Sequence, residues 1–153
     1  MRGVMMVLCF AVLTVTAQAG TPSPYSGTVV IDTGKPFAAY VSVLKRAIAA
    51  NKFGLVAEAC ATCGAKAIGV TIPGNRVLMI FSPQFAVRML KASEASGIEA
   101  PLRLYVTEEA SGSAKLTYRL PSHVFAPYAV AALNEMAGEL DIILARIVKQ
   151  AGS

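Results

Sequence analysis

The chain has 153 residues, 55% hydrophobic and 15% charged, with 14 Lys and Arg against 9 Asp and Glu. This composition excludes a disordered or low-complexity chain, and the length fits one domain rather than a repeat array or a multidomain enzyme. The formal net charge of +5 comes from scattered cations, tryptophan is absent, and no nucleic-acid partner is expected.

Arg2 precedes an apolar run over residues 4–15, and Thr16-Ala17-Gln18-Ala19 then supplies small residues at the −3 and −1 positions. Residues 1–19 therefore read as a signal peptide cleaved after Ala19, with the product in the periplasm or secreted. The apolar run falls short of the roughly 20 residues a membrane-spanning helix needs, so no membrane attachment is expected after cleavage.

Residues 20–27, rich in Pro, Ser and Gly, read as a flexible lead-in to a folded domain over 28–150. Thr28-Val29-Val30-Ile31 is β-branched and predicts a short strand, and residues 32–36 a turn. Phe37, Tyr40, Val41, Leu44 and Ile48 recur at helical spacing, with Lys45, Arg46 and Lys52 toward the helix end. Residues 53–59 predict a second strand, residues 60–67 a small-residue loop or single turn leading into 68–72, and Pro73-Gly74-Asn75 a turn.

The continuous apolar run 77–81 predicts a strand central in its sheet. Ser82-Pro83 predicts the cap and start of a helix that Gly97 ends. Leu102, Leu104 and Val106, then Ala114, Leu116, Tyr118 and Leu120, alternate with polar residues and predict a hairpin turning over 108–113. After a connection over 121–128, a long helix runs to Gln150 with Leu133, Met136, Leu140, Ile143, Leu144 and Ile147 as its apolar stripe. The fold expected is a single α+β domain, a mostly antiparallel sheet with helices on one face, in the order β-α-β-β-α-β-β-α.

Three stretches carry a resemblance. Asn51-Lys52-Phe53-Gly54-Leu55-Val56-Ala57-Glu58, Gly74-Asn75-Arg76-Val77-Leu78-Met79-Ile80-Phe81-Ser82-Pro83 and Ala100-Pro101-Leu102-Arg103-Leu104-Tyr105-Val106 resemble, in order and spacing, domain-of-unknown-function family 302. The resemblance spans residues 37–147 and implies a compact α+β fold, often dimeric, but no activity and no catalytic residues. A homodimer is expected on that ground, with mild support from the open edges of a small sheet. The cysteine pair in residues 60–64 departs from the commoner family pattern.

Of three cysteines, Cys9 goes with the leader, leaving Cys60 and Cys63 in an oxidising compartment. Such a pair forms a disulfide that is inert or lightly structural, because a short loop removes little unfolded-state entropy. A thiol–disulfide redox pair is the alternative: the motif follows a strand and Lys66 is near, but Glu58 adds negative charge just upstream. Metal or haem binding through His123, Met79, Met89 or Met136 is a third reading. Gly64 rather than histidine follows the pair, and the methionines are spaced as core residues. His123, the sole histidine, reads as surface or packing. Glu108-Glu109 sits at a hairpin tip, and Glu135, Glu139 and Asp141 read as a solvated helix face, so no catalytic residues and no cofactor are expected.

An anion-binding candidate remains where the second long helix begins. Helix N-termini expose amide donors, Ser82 and Gln84 offer a hydroxyl and an amide, and Arg103 or Arg119 a full charge. The function expected is thus that of an exported, non-catalytic domain binding a small anionic molecule or a periplasmic protein.

Overall fold

The computed structural model describes residues 25–153; the expected leader, its cleavage after Ala19 and the start of the lead-in lie outside the described residues. Five strands, β1 (Thr28–Pro36), β2 (Gly54–Ala59), β3 (Asn75–Phe81), β4 (Leu102–Glu108) and β5 (Ser113–Arg119), form one antiparallel sheet in the order β1-β5-β4-β3-β2. The helices are α1 (Phe37–Ala50), α2 (Ala61–Ala67), α3 (Pro83–Ala92), α4 (Pro121–Phe125) and α5 (Ala131–Gly152). The chain is an α+β domain with its main helices over one sheet face.

The period of two decides which face that is. Leu78 and Ile80 on β3, Leu104 and Val106 on β4, and Ala114, Leu116 and Tyr118 on β5 are buried and share one core with the helices. The α1 stripe of Tyr40, Val41, Leu44 and Ile48 and the α5 stripe of Leu133, Met136, Leu140, Leu144 and Ile147 fill that core. Each fully buried aliphatic side chain contributes roughly 1.5–3 kcal/mol of transfer free energy. Phe37 and Ile143 sit at its margin, partly buried.

The chain departs from its expected layout in five places, each with a local cause. β1 does not turn at Asp32 but continues to Pro36 through a bulge, where Gly34 takes φ +65° and Thr33 Oγ1 donates to the Ala114 carbonyl. Residues 61–67 form a two-turn helix rather than a loop, helped by three alanines and by the Cys63 N–H bonding Cys60 Sγ at the N-cap. The apolar strand β3 is internal but next to the edge strand β2; β4 is the middle of the sheet.

The α3 helix ends at Ala92, well before Gly97. Ser93 is extended, and its carbonyl accepts from both the backbone and the hydroxyl of Ser96, starting a 3-10 segment over Glu94–Glu99. The connection to the last helix contains α4, with Pro121 at its first position and Phe125 buried beneath it. Asp141 Oδ1 on α5 accepts the Ser122 N–H and ties this turn down.

Candidate functional site

The α1 helix closes with two overlapping hydrogen bonds, from Lys52 N–H to the Ala49 carbonyl and from Phe53 N–H to the Ile48 carbonyl. This C-terminal arrangement requires a left-handed residue, usually glycine; here Lys52 takes that place at φ +62°. It delivers Phe53 into the core and leaves the Lys52 side chain at the rim. The Asn51 amide fixes the same corner to the last helix by donating to Ala47 O and to Gln150 Oε1.

From the other side, β3 runs straight into Ser82. Pro83 begins α3, its missing N–H costing nothing at that position, and no acidic residue lies in the first turn. Ser82 starts the helix through its backbone alone, its carbonyl accepting from Ala86 N–H. Its hydroxyl makes no capping bond, contrary to expectation, and bonds no other group among the described residues.

That hydroxyl is the unusual atom of the site. Ser82 is only 7% exposed, yet it lines two hollows that share it with Phe53 and Phe85. The inner one, about 30 Å³, is walled by apolar side chains including Ile80, Met89 and Met136; that is room for a methyl or ethyl group, since one water needs at least about 10–15 Å³. The outer one, about 280 Å³, is rimmed by Lys52, Gln84, Asn51 and Arg146. No carboxylate lines it, and neither Lys52 nor Arg146 has a salt-bridge partner among the described residues. The result is an apolar slot, an unbonded hydroxyl beside it and two cations at the rim of the adjoining hollow. It can hold a small anion with a short apolar substituent.

The expected partners divide between two places. Ser82 and Gln84 line the outer hollow, but Arg103 and Arg119 do not. They lie on the polar strand positions beside Leu104 and Tyr118 and line separate hollows that include Glu99 and Val124. Tyr128 borders one of these and donates to Glu99 Oε1 at 3.1 Å; burial first, then the Glu99 carboxylate, raises its pKa. Arg146 was missed at the Ser82 hollow because nothing in its spacing brings α5 there. Lys52 stands in the sequence as a helix-end cation, and only the left-handed turn it makes brings it to the hollow.

Cys60 and Cys63 form a disulfide with Cα atoms 5.2 Å apart. Cys63 is exposed, Cys60 half-buried, and α2 buries none of its residues. Glu58 is bridged by Lys45 and Arg76, so its charge is compensated rather than aimed at the sulfurs. His123 packs over Gly27, where an added Cβ would come within 2.1 Å of the ring. Met89 and Met136 are core residues and Met79 is half-buried on β3. Among the described residues no three of His, Cys, Asp and Glu converge.

Sheet order, helix placement and the matched segments define a small single-domain α+β protein with a one-sided helical layer. The chain belongs to the family described as domain of unknown function DUF302, whose model matches residues 28–151. It is similar to the uncharacterized conserved protein DUF302 from Bacillus stearothermophilus, whose crystal structure aligns with a TM-score of 0.74 at 20% identity, covering 82% of this chain and 98% of that one. At that identity the likeness speaks for the fold alone. No curated protein matches the chain.

Proposed function

We propose that this chain is an exported, non-catalytic binding domain whose ligand is a small carboxylate or phosphate bearing a short apolar group. The observation that carries the reading is Ser82, a hydroxyl with no hydrogen bond among the described residues, placed where an apolar slot adjoins a hollow rimmed by Lys52 and Arg146. That hydroxyl opens onto the hollows rather than being sealed in the core, so it can donate to a bound anion. The anion's charge meets the two cations and the free amides of α3, and its apolar end displaces nothing polar.

Export rests on the leader pattern of residues 1–19, and intact mass of secreted material should begin at Gly20. A homodimer is the proposed assembly, supported by the two open sheet edges β1 and β2, and sedimentation of the mature chain tests it.

Thermal-shift titration with acetate, propionate, butyrate and inorganic phosphate tests the site. Propionate or butyrate should raise the melting temperature more than acetate, and Arg146→Ala should weaken that binding about tenfold, as expected for loss of one charge-assisted contact. If no anion stabilises the protein, or Ser82→Ala and Arg146→Ala respond as the parent does, the reading is wrong.

A further inference from the structure

We propose that the Cys60–Cys63 disulfide is a thiol–disulfide exchange site, separate from the Ser82 hollow and independent of its ligand. Four features carry this. Cys63 is exposed on a two-turn helix that buries nothing, so an incoming thiolate reaches its sulfur without unfolding. Cys60 is half-buried, and its sulfur already accepts the Cys63 N–H at 2.9 Å. That bond favours the charged form of the sulfur, which makes Cys60 the better leaving group. Glu58, the carboxylate nearest in sequence, is held by Lys45 and Arg76, so it does not repel an anionic attacker. Finally, the bridge spans three residues, and opening so small a loop costs the fold little.

The exchange balances without another reagent. A thiolate attacks Cys63 Sγ, a new sulfur–sulfur bond forms, and the Cys60–Cys63 bond breaks with its electron pair leaving on Cys60 Sγ. A second thiolate attacks the substrate sulfur of the mixed disulfide and releases Cys63 as thiolate. Two substrate thiols become one disulfide, and the protein takes up two electrons. The substrate is a thiolate, whether of a small free thiol or of a cysteine in a polypeptide. Exposed Ile68 and Val70 just beyond α2 offer apolar surface to the latter.

The test uses the mature full chain. With reduced glutathione as probe, opening of the wild-type bridge trapped by alkylation should leave glutathione on Cys63 at least about tenfold more often than on Cys60, read by peptide mass, since the exposed sulfur is attacked and Cys60 leaves. Reduced glutathione and a cysteine-containing peptide should each open the wild-type bridge while near-ultraviolet circular dichroism stays native. A faster peptide reaction assigns a polypeptide source, a faster glutathione reaction a small thiol. Glutathione found equally on both sulfurs or mainly on Cys60, or reduction only once the fold melts, overturns the proposal.

Discussion

The rings of Phe53 and Phe85 stack with centroids 5.9 Å apart and planes inclined by 20°, joining the end of α1 to the first turn of α3. Phe53 is buried and Phe85 half-buried, and together they form the wall between the apolar slot and the cationic mouth. The Arg88 guanidinium lies 5.4 Å from the Phe85 ring centroid and covers its outer side. Phe85→Ala should cost about 2 kcal/mol, less than the roughly 3–5 kcal/mol of a fully buried phenylalanine. It also lengthens the slot. Urea unfolding should show the loss, and carboxylates with longer apolar chains should gain affinity relative to butyrate. A variant that loses stability but keeps the parent's chain-length preference would separate the ring from the ligand slot.

Lys52 holds a left-handed position that glycine adopts without a Cβ penalty. Lys52→Gly should therefore stabilise the domain by about 0.5–1 kcal/mol, the relief of strain being partly offset by the freer unfolded chain. The same change removes one of the two mouth cations, so anion binding should weaken as stability rises. Such opposite movement is expected where a strained residue is retained for a ligand. Urea midpoints with and without butyrate check both halves of this expectation. If binding is unchanged in the more stable variant, Lys52 has no part in the site.

Most of the sheet and both long helices were legible in the residues because burial imposed a period. Leu104 and Val106 alternate with Arg103 and Tyr105, and Tyr40, Leu44 and Ile48 keep helical spacing. What was not legible lacked that period or depended on distant partners. Residues 61–67 bury nothing, so no stripe marks α2. The bulge in β1 is visible only through its pairing with β5, where Pro36 meets Ser113. The site divides in the same way. Ser82 and Gln84 followed from a strand running into a proline-started helix, whereas Arg146 enters from a helix over 60 positions away in sequence. Arg103 and Arg119 lie on strands of the sheet that leads to Ser82 but do not line its hollow.

Two glycines should respond in opposite directions to alanine. Gly74 is buried, its N–H donates to Glu108 Oε2 at 2.6 Å, and an added Cβ would sit 2.6 Å from the Phe37 ring and 2.8 Å from that carboxylate oxygen. Gly74→Ala should cost about 2–3 kcal/mol through overpacking and a displaced hydrogen bond. Gly138 lies inside α5, and an added Cβ there meets nothing within 4 Å. Gly138→Ala should stabilise by about 0.5–1 kcal/mol on helix propensity and unfolded-state entropy. Paired chemical denaturation gives both values at once. Equal effects from the two would mean that space at residue 74 is not limiting.

The last prediction concerns alkaline stability and rests on Tyr40. This tyrosine on α1 is 1% exposed, and burial first, then the neighbouring Tyr118, pushes its pKa up from 10.0 to about 12. Tyr118 is raised as well, by burial and then by Asp141. The unfolded chain releases the phenolic proton near pH 10, while the folded chain keeps it until near pH 12. The unfolded state thus binds fewer protons across this window, and stability falls as pH rises through it. Below pH 10 the contribution is fully present. At about 1.4 kcal/mol per pH unit, Tyr40 alone should remove roughly 2–3 kcal/mol by pH 12. Tyr40→Phe has no proton to lose, so its urea midpoint should fall less steeply between pH 10 and 12. The residual slope of the variant belongs to Tyr118 and the other groups that titrate in this range. Parallel curves for wild type and variant would show that the Tyr40 hydroxyl titrates alike in both states.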